Sequence, residues 1–543
     1  MASQYIYTGL ALLVILLFRH IYSRPSSRGR LPLPPGPPGA PLIGNVLQTP
    51  KDAPWIHYHD LSKQYGEVMH LNMAGQPVMI LNSLRAAQDL LSRQGSQYSD
   101  RPHLVVAGDL VTRGLHILLR HYDARYRLHQ RMQAPVVAPG AAVGYRPLME
   151  LESRQLLYDI LTESDKGGGR GIDYGHWFER AICSNVYALV YGYRLQTGRE
   201  ESIATAKYVQ AQAVEIMQPG RYLVDAFPSL NHLPAPLAPW KVEAEALWRL
   251  EVNLHLDNLR RGRDGPSWNI ATHLARSPEA RDMTPEELAF NVGTLADAAL
   301  DTSSMTLNWL VVAWLAEGKN GWVARAQRDL DEVVGRQRMP QFDDQPRLAY
   351  IWAVLHELLR WRPVIAGGIP HRYMGAADDE FRGYRIPAGS FVIANHWGIA
   401  RDESVYGPNV ESFVPERWMP DDDETDIKMN NGIKELYSTV FGYGRRVCVG
   451  QHVARQMLFM AIARLLWAFD VETAVDGDTG ERIEIDPLAV TPGLSIKPRP
   501  FNAIFRPRGP WVRDLVEKEG DTHSVDIGDI LDQIALEKTA KAE

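Results

Sequence analysis

The loop at 441–450 reads Phe-Gly-Tyr-Gly-Arg-Arg-Val-Cys-Val-Gly, and its cysteine, Cys448, is placed to serve as a soft anionic ligand. An apolar helical pattern follows over 453–469, so Cys448 stands just ahead of a helix N-terminus, whose dipole and free amide groups favour a negative sulfur. Gly442, Gly444 and Gly450 allow a tight turn and a close approach to a flat ligand that side chains would obstruct. Arg446, two residues before the cysteine, can meet an anionic group on such a ligand. A purely structural thiol is the alternative, since free cysteine is among the most buried residue types.

A second constellation, Ala-Ala-Leu-Asp-Thr-Ser over 298–303, lies in a helical pattern that opens at Thr284, Pro285, Glu286 and Glu287, a good N-cap followed by proline and acids. An acid beside an alcohol, Asp301 and Thr302, suits proton delivery: the hydroxyl positions water and the carboxylate relays protons. A solvated polar face is the other reading, weakened by how apolar the rest of this helix is. The third constellation pairs Glu357 with Arg360 at i,i+3 on a helix over 350–361. Arg417, in Pro-Glu-Arg-Trp at 415–418, would complete a three-member charge network whose role is structural.

The elements that must position these groups come from the wider pattern. At 543 residues with 45% hydrophobic content the chain can bury a sizeable core. Two cysteines, Cys183 and Cys448, exclude a disulfide framework and suit a reducing compartment, with Cys183 assigned to packing on an apolar helix face. A net charge of -7 spread along the chain gives no hint of nucleic-acid binding.

Residues 5–18 form an apolar run that is about 21 Å long as a helix, and extending it to 2–22, with Arg19 and His20 snorkelling, reaches the ~30 Å hydrocarbon core. A cleaved signal peptide is the rival; it lacks a basic N-terminal flank and a clear cleavage site. Arg19, Arg24, Arg28 and Arg30 follow the run, which puts the body of the protein on the cytosolic side. Proline density at 31–41 forbids helix and marks a stiff, extended spacer between anchor and body.

Alternation over 65–81 around Gly75, Gln76 and Pro77 predicts a strand hairpin, and Phe391 opens another strand. Helices are expected over 148–195, broken by Gly167, Gly168 and Gly169, and a mobile, proline-broken connection over 221–239. A turn at 491–495 is expected to dip back into the pocket, and 511–543 reads as a charged, mobile tail with one short helix at 527–536.

The 441–450 loop matches F-x-x-G-x-R-x-C-x-G at every fixed position and resembles the haem-binding loop of the cytochrome P-450 family. The resemblance covers roughly 31–510 with its motifs in order, and it is nearest to membrane-bound fungal enzymes of secondary metabolism. It implies a mainly α fold with a small β region, preceded by a transmembrane helix. The implied divisions are an anchor at 1–22, a basic and proline-rich hinge at 23–41, a haem-thiolate catalytic domain at 42–510 and the tail at 511–543. It implies haem b with Cys448 as axial thiolate, bound with help from Phe441, Gly442, Arg446 and Gly450, and a proton relay through Asp301 and Thr302.

His371, in Gly-Ile-Pro-His-Arg at 368–372, and Arg101, in Ser-Asp-Arg-Pro at 99–102, resemble propionate-binding residues, against core or solvated side chains as the bland readings. The segment at 221–239 corresponds to the lid over the substrate channel.

The activity implied is insertion of one oxygen atom from O2 into a lipophilic small molecule, with electrons from NADPH through a flavoprotein reductase, in the endoplasmic reticulum membrane. Reductase docking would use Arg445 and Arg131. Pocket walls are expected at 104–111, 209–217, 290–298 and 364–369 and at Leu494.

The chain departs from the family pattern Y-G-x-x-W-R-x-x-R-R at 122–131, where Asp123, Tyr126 and Gln130 replace the glycine, the tryptophan and an arginine. Ala299 replaces a glycine ahead of Asp301. One charge-assisted propionate contact is lost unless Arg127 or Arg131 turns inward, and haem is still expected to be retained. A haem-thiolate isomerase or dehydratase that needs no NADPH, and a non-catalytic haem binder, are the alternative activities.

Overall fold

Helices dominate, and their ends follow local chemistry. The computed structural model describes residues 31–167, 170–218, 220–420, 436, 439–475 and 480–542. In order, its longer helices are α1 (Pro54–Tyr65), α2 (Ala124–Val136), α3 (Arg146–Lys166), α4 (Tyr174–Tyr191), α5 (Glu201–Ile216) and α6 (Pro239–Asp264). They continue as α7 (Pro285–Glu317), α8 (Trp322–Val333), α9 (Ala349–Trp361), α10 (Gln451–Ala468), α11 (Pro510–Glu519) and α12 (Gly528–Ala542). Asp123 caps α2 by accepting from the Tyr126 amide at 2.6 Å, so the residue standing where the family has glycine gains a helix-capping role. At α7 the Thr284 hydroxyl accepts from the Glu287 amide at 3.2 Å, with Pro285 in the first turn. α4 stops at Gly192, whose φ of 79° suits glycine in a left-handed cap.

α7 is the axis of the core. Leu300, Leu307, Trp309, Leu310, Val311, Val312 and Ala313 are buried, and α4, α6 and α10 pack around it. The small β region is a four-stranded sheet in the order β1 (Val68–Met73), β2 (Gln76–Leu81), β6 (Phe391–Ala394), β3 (His371–Arg372), where β4 (Asp379–Phe381) and β5 (Tyr384–Ile386) form a separate hairpin. β1 and β2 are antiparallel, β2 and β6 parallel with Val78 opposite Phe391, and β3 pairs antiparallel to β6 with His371 opposite Val392. A last pair, β7 (Phe469–Thr473) with β8 (Ala503–Pro507), closes the end of α10.

Three expectations change. The proline-rich segment is extended but is no free spacer over 31–41: the Pro35 carbonyl accepts from the His70 amide and the Pro32 carbonyl from the Arg385 amide. Gly36 lies so close that a Cβ there would stand 2.0 Å from the His70 carbonyl oxygen. The tail is folded rather than mobile. α11 and α12 turn inward Val512, Val516, Leu531 and Ile534, spaced at three or four residues, while the Thr522 hydroxyl donates to Gln155 at 2.7 Å.

The connection expected to be mobile over 221–239 forms short helical turns with Val224 buried. It is tied to the wide helical turn Val105–Val111 by the Val106 amide, which donates to Asp225 at 3.1 Å. The anchor at 1–22, the basic part of the hinge at 23–30, and Gly168 and Gly169 lie outside the described residues. Among the described residues no helix is long and apolar enough to cross a membrane.

Candidate active site

A cavity of about 500 Å³ lies between α7 and the 441–450 loop. Cys448 lines it, in a loop that holds its own shape: the Cys448 amide donates to the Phe441 carbonyl at 2.8 Å, and Gly450 precedes the first turn of α10. Burial pushes the Cys448 thiol pKa up, while the amides of Gly450 and Gln451 and the charge of Arg455 pull it down. Gly444 is required twice over, by a φ of 57° and by the Leu91 carbonyl, which a Cβ would meet at 2.1 Å. Gly450 has no such constraint from the protein; its Cβ position points at the Cys448 sulfur from 4.0 Å.

At one edge of the cavity two guanidinium groups lie together, that of Arg101 buried and that of Arg446 half-buried. Arg101 donates to the carbonyls of Leu118, Ile369 and Pro370, and Arg446 to those of Ser99, Ile117 and Arg120. Among the described residues neither has a carboxylate within ion-pairing distance, and burial together with the charge of Arg446 lowers Arg101 to about 9. His371 lines the same edge and donates from Nδ1 to the Tyr98 carbonyl at 2.7 Å, which leaves Nε2 available to a ligand. Burial and the Arg101 charge hold its pKa well below the usual imidazole range.

One buried and one half-buried cation and a histidine, with no anion among them, fit a ligand that brings two carboxylates, as haem does with its propionates. A bound anion would also favour the doubly protonated His371 that can donate from Nε2. The cysteine, the apolar walls and this cationic edge therefore fit haem.

The departures at 122–131 take definite places. Tyr126 lines the cavity, its ring lies 3.8 Å beneath the Arg446 guanidinium and its hydroxyl donates to the Arg445 carbonyl at 2.9 Å. Gln130 donates to the same carbonyl at 3.3 Å and does not reach the cavity. Arg127 and Arg131 are exposed, so neither turns inward to replace the lost charge; Arg445 is exposed as well and donates to the Tyr122 hydroxyl.

On the facing wall, Ala298, Ala299 and Thr302 line the cavity, and the Thr302 hydroxyl donates to the Ala298 carbonyl at 2.9 Å. Ser304 and Thr306 donate similarly to the carbonyls of Asp301 and Thr302, so this stretch of α7 shares several backbone carbonyls with side chains. Asp301 does not line the cavity with Thr302. It turns toward α4, where burial and then the Glu179 charge raise its pKa against the pull of Lys497 and Lys207.

The charge network forms as expected and is more extensive. Glu357 accepts from Arg360 at 2.7 and 2.8 Å, from Arg417 at 3.0 Å, from the Trp418 indole at 2.9 Å and from the Val414 amide at 2.8 Å. Arg360 donates further to the carbonyls of Ala400, Val410 and Ser412. Cys183 is buried and its thiol donates to the Leu300 carbonyl, a packing position.

The expected walls at 104–111, 209–217, 290–298 and 364–369 and Leu494 each contribute lining residues. Sequence reasoning missed the contribution of α6, which adds Leu247, Glu251 and Leu254, and of His116 and His396. His396 is buried, donates from Nδ1 to the Ile365 carbonyl at 3.0 Å, and is lowered to about 4 by burial. The signal available for α6 was Glu251 and His255 at i,i+4, a spacing too common on helices to single out.

The family model described as Cytochrome P450 matches residues 34–504. The chain is 35% identical over 512 residues to cytochrome P450 monooxygenase FrzL of Cladobotryum sp, covering 94% of each chain. It is 34% identical over 505 residues to cytochrome P450 monooxygenase aneD of Aspergillus aculeatus, covering 93% of this chain and 91% of the relative. It is 32% identical over 524 residues to cytochrome P450 monooxygenase peniB of Penicillium patulum, covering 96% and 94%.

Proposed function

This chain belongs to the cytochrome P450 family and is a haem-thiolate monooxygenase, and from that premise we propose a membrane-bound oxygenase of lipophilic small molecules of fungal secondary metabolism. The observation that carries the reading is Cys448 facing a cavity of about 500 Å³ whose edge holds two guanidiniums without a carboxylate partner among the described residues. Haem held there by a cysteine thiolate supplies the binding of dioxygen and the cleavage of its O–O bond.

The residues divide the remaining work. Cys448 provides the sulfur anion, which the Gly450 and Gln451 amides stabilise. Arg101, Arg446 and His371 would hold the propionates of bound haem, with Phe441 and Gly442 lining the cavity on the cysteine side. The Thr302 hydroxyl, at the cavity wall, holds a water and passes a proton inward. Asp301, with its raised pKa, holds the next proton on the far side of the same turn of α7. The apolar remainder of the cavity excludes bulk water and binds substrate.

Electrons come from NADPH through a flavoprotein reductase that docks at the exposed Arg445 and Arg131. The apolar run before residue 22 anchors the chain in the endoplasmic reticulum membrane by a single pass, with the catalytic domain cytosolic. Exposed Leu42 and Leu47, and Leu223, Phe227 and Leu237 in the connection before α6, add apolar surface suited to a lipid interface. The test is the reduced protein with carbon monoxide, expected to show the red-shifted band of a thiolate ligand. It is followed by NADPH consumption with a reductase, expected to rise when substrate is added. Product formation without NADPH would instead indicate the isomerase or dehydratase reading.

A further inference from the structure

The wall of the cavity formed by α6 and α7 is not apolar throughout. Glu251 and Asp297 line it, and His255 lies between them, with Nε2 at 3.4 Å from Asp297 and 3.8 Å from Glu251. The seat of His255 is built by the sequence. Gly293 leaves room for the ring, since a Cβ there would stand 2.2 Å from its Nδ1, and Phe290 packs edge-on at 4.7 Å between centroids.

His255 is 2% exposed and its Nε2 has no hydrogen-bond partner among the described residues, while Glu251 is 5% exposed. His116 lines the cavity beside them with its Nδ1 accepting the Leu118 amide, so that ring is a neutral donor through Nε2. Neither carboxylate has a lysine or arginine within ion-pairing distance among the described residues. With His255 fully protonated the group still carries net negative charge, on a wall where the cavity-lining neighbours Leu247, Leu254, Leu295 and Ala298 are apolar. A buried charge without a partner is costly, and a cation from outside relieves it.

We propose that the substrate of this monooxygenase is a lipophilic amine, its protonated nitrogen held on the α6–α7 wall by the Asp297 and Glu251 carboxylates across His255. The inference rests on the oxygenase reading above and deepens it by naming the substrate class. It also gives two differently charged boundaries to one cavity: guanidiniums for the propionates, carboxylates for the substrate. Burial, offset in part by His255, raises Asp297 to about 6, so the carboxylate is ionised at neutral pH and able to pair.

The test is equilibrium dialysis at pH 8 of the purified, haem-loaded full chain against two probes of matched length. One is decyltrimethylammonium, whose quaternary nitrogen cannot ligate iron; the other is a neutral alkyl tert-butyl ether. The expected result is tighter binding of the ammonium by about tenfold or more, a ratio that falls at least about fivefold in Asp297→Asn and approaches one in Asp297→Asn with Glu251→Gln.

Equal affinities in the unaltered protein overturn the proposal without needing any variant to fold, as does a ratio that survives both substitutions. Haem content and the carbon monoxide band are read on the same samples. Loss of the thiolate band in unaltered protein would sink the oxygenase reading, whereas an intact band with a ratio of one sinks the amine alone.

Discussion

Two carboxylates live under opposite rules in this molecule. Glu357 is completely buried and accepts five hydrogen bonds, from two arginines, an indole and a backbone amide. Asp297 faces the cavity with one histidine at 3.4 Å and, among the described residues, no other cation within ion-pairing distance. Burial alone would raise both acids. At Glu357 the Arg360 charge and hydrogen bonds override burial and hold the carboxyl below the usual range, whereas at Asp297 burial wins and the pKa climbs to about 6. The Glu357 network is built from satisfied groups that hold shape; the α6–α7 wall keeps a group unsatisfied until a ligand arrives.

The largest effect belongs to the ligand itself. Cys448→Ser should abolish the thiolate band and lower turnover by more than about a thousandfold, because no other cysteine reaches the cavity; Cys183 is buried against Leu300. Retained oxygenation in the serine variant would show that the chemistry runs elsewhere.

Glu357→Ala and Arg360→Ala come next. Each leaves a buried charge facing vacated partners, which costs about 3–5 kcal/mol, a large part of the ~5–15 kcal/mol that holds a typical domain together. Haem-free, aggregated protein is expected, read as haem per chain after purification. Normal haem content with slow turnover would move the network from structure to catalysis. The sign with pH follows from the depressed pKa: the contribution of Glu357 is complete above the unfolded carboxyl value and is lost as pH falls through the lower folded value.

Asp297→Asn sharpens the contrast because its sign is reversed. A folded pKa raised from 3.8 to about 6 means that the native state holds its proton more tightly, so stability declines as pH rises from the lower value to the higher and stays reduced above it. Removing that carboxylate should stabilise the haem-loaded protein by about 1–3 kcal/mol at pH 8 and have little effect near pH 4. Thermal unfolding of the two proteins at both pH values decides it. Destabilisation at pH 8 would mean that the carboxylate has a partner the geometry does not show.

What could be read from the sequence tracks the same division. The loop around Cys448, the Thr284 cap of α7 and the Glu357–Arg360 pair are local patterns, each carried by residues within a turn or two of one another. The α6–α7 wall is assembled from Glu251 and His255 on one helix and Asp297 on another, brought together only by packing around Gly293, so no local spacing announces it. The tail misled for a related reason. Its charge suggested mobility, but the few apolar residues that decide the matter, Val512, Val516, Leu531 and Ile534, are spaced to bury one face of each helix. Asp123 and Tyr126 looked like losses against the family pattern, yet one caps α2 and the other supports Arg446 with its ring.

The smallest effect tests the last of those departures. Gln130 stands where an arginine would be expected to serve a propionate, but here it donates at 3.3 Å to the Arg445 carbonyl, outside the cavity. Two guanidiniums and His371 already supply the cationic edge, and Tyr126 occupies the space beside Arg446. An arginine introduced at 130 would have to displace that ring or stay at the surface, and the surface is the cheaper place for its charge. Gln130→Arg should therefore change stability by no more than about 0.5 kcal/mol and leave haem content unchanged. If purified protein proves short of haem and the arginine restores it, then the helix carrying Tyr126 contributes to the propionate edge after all, and the shape-holding side of the comparison is less complete than its hydrogen bonds indicate.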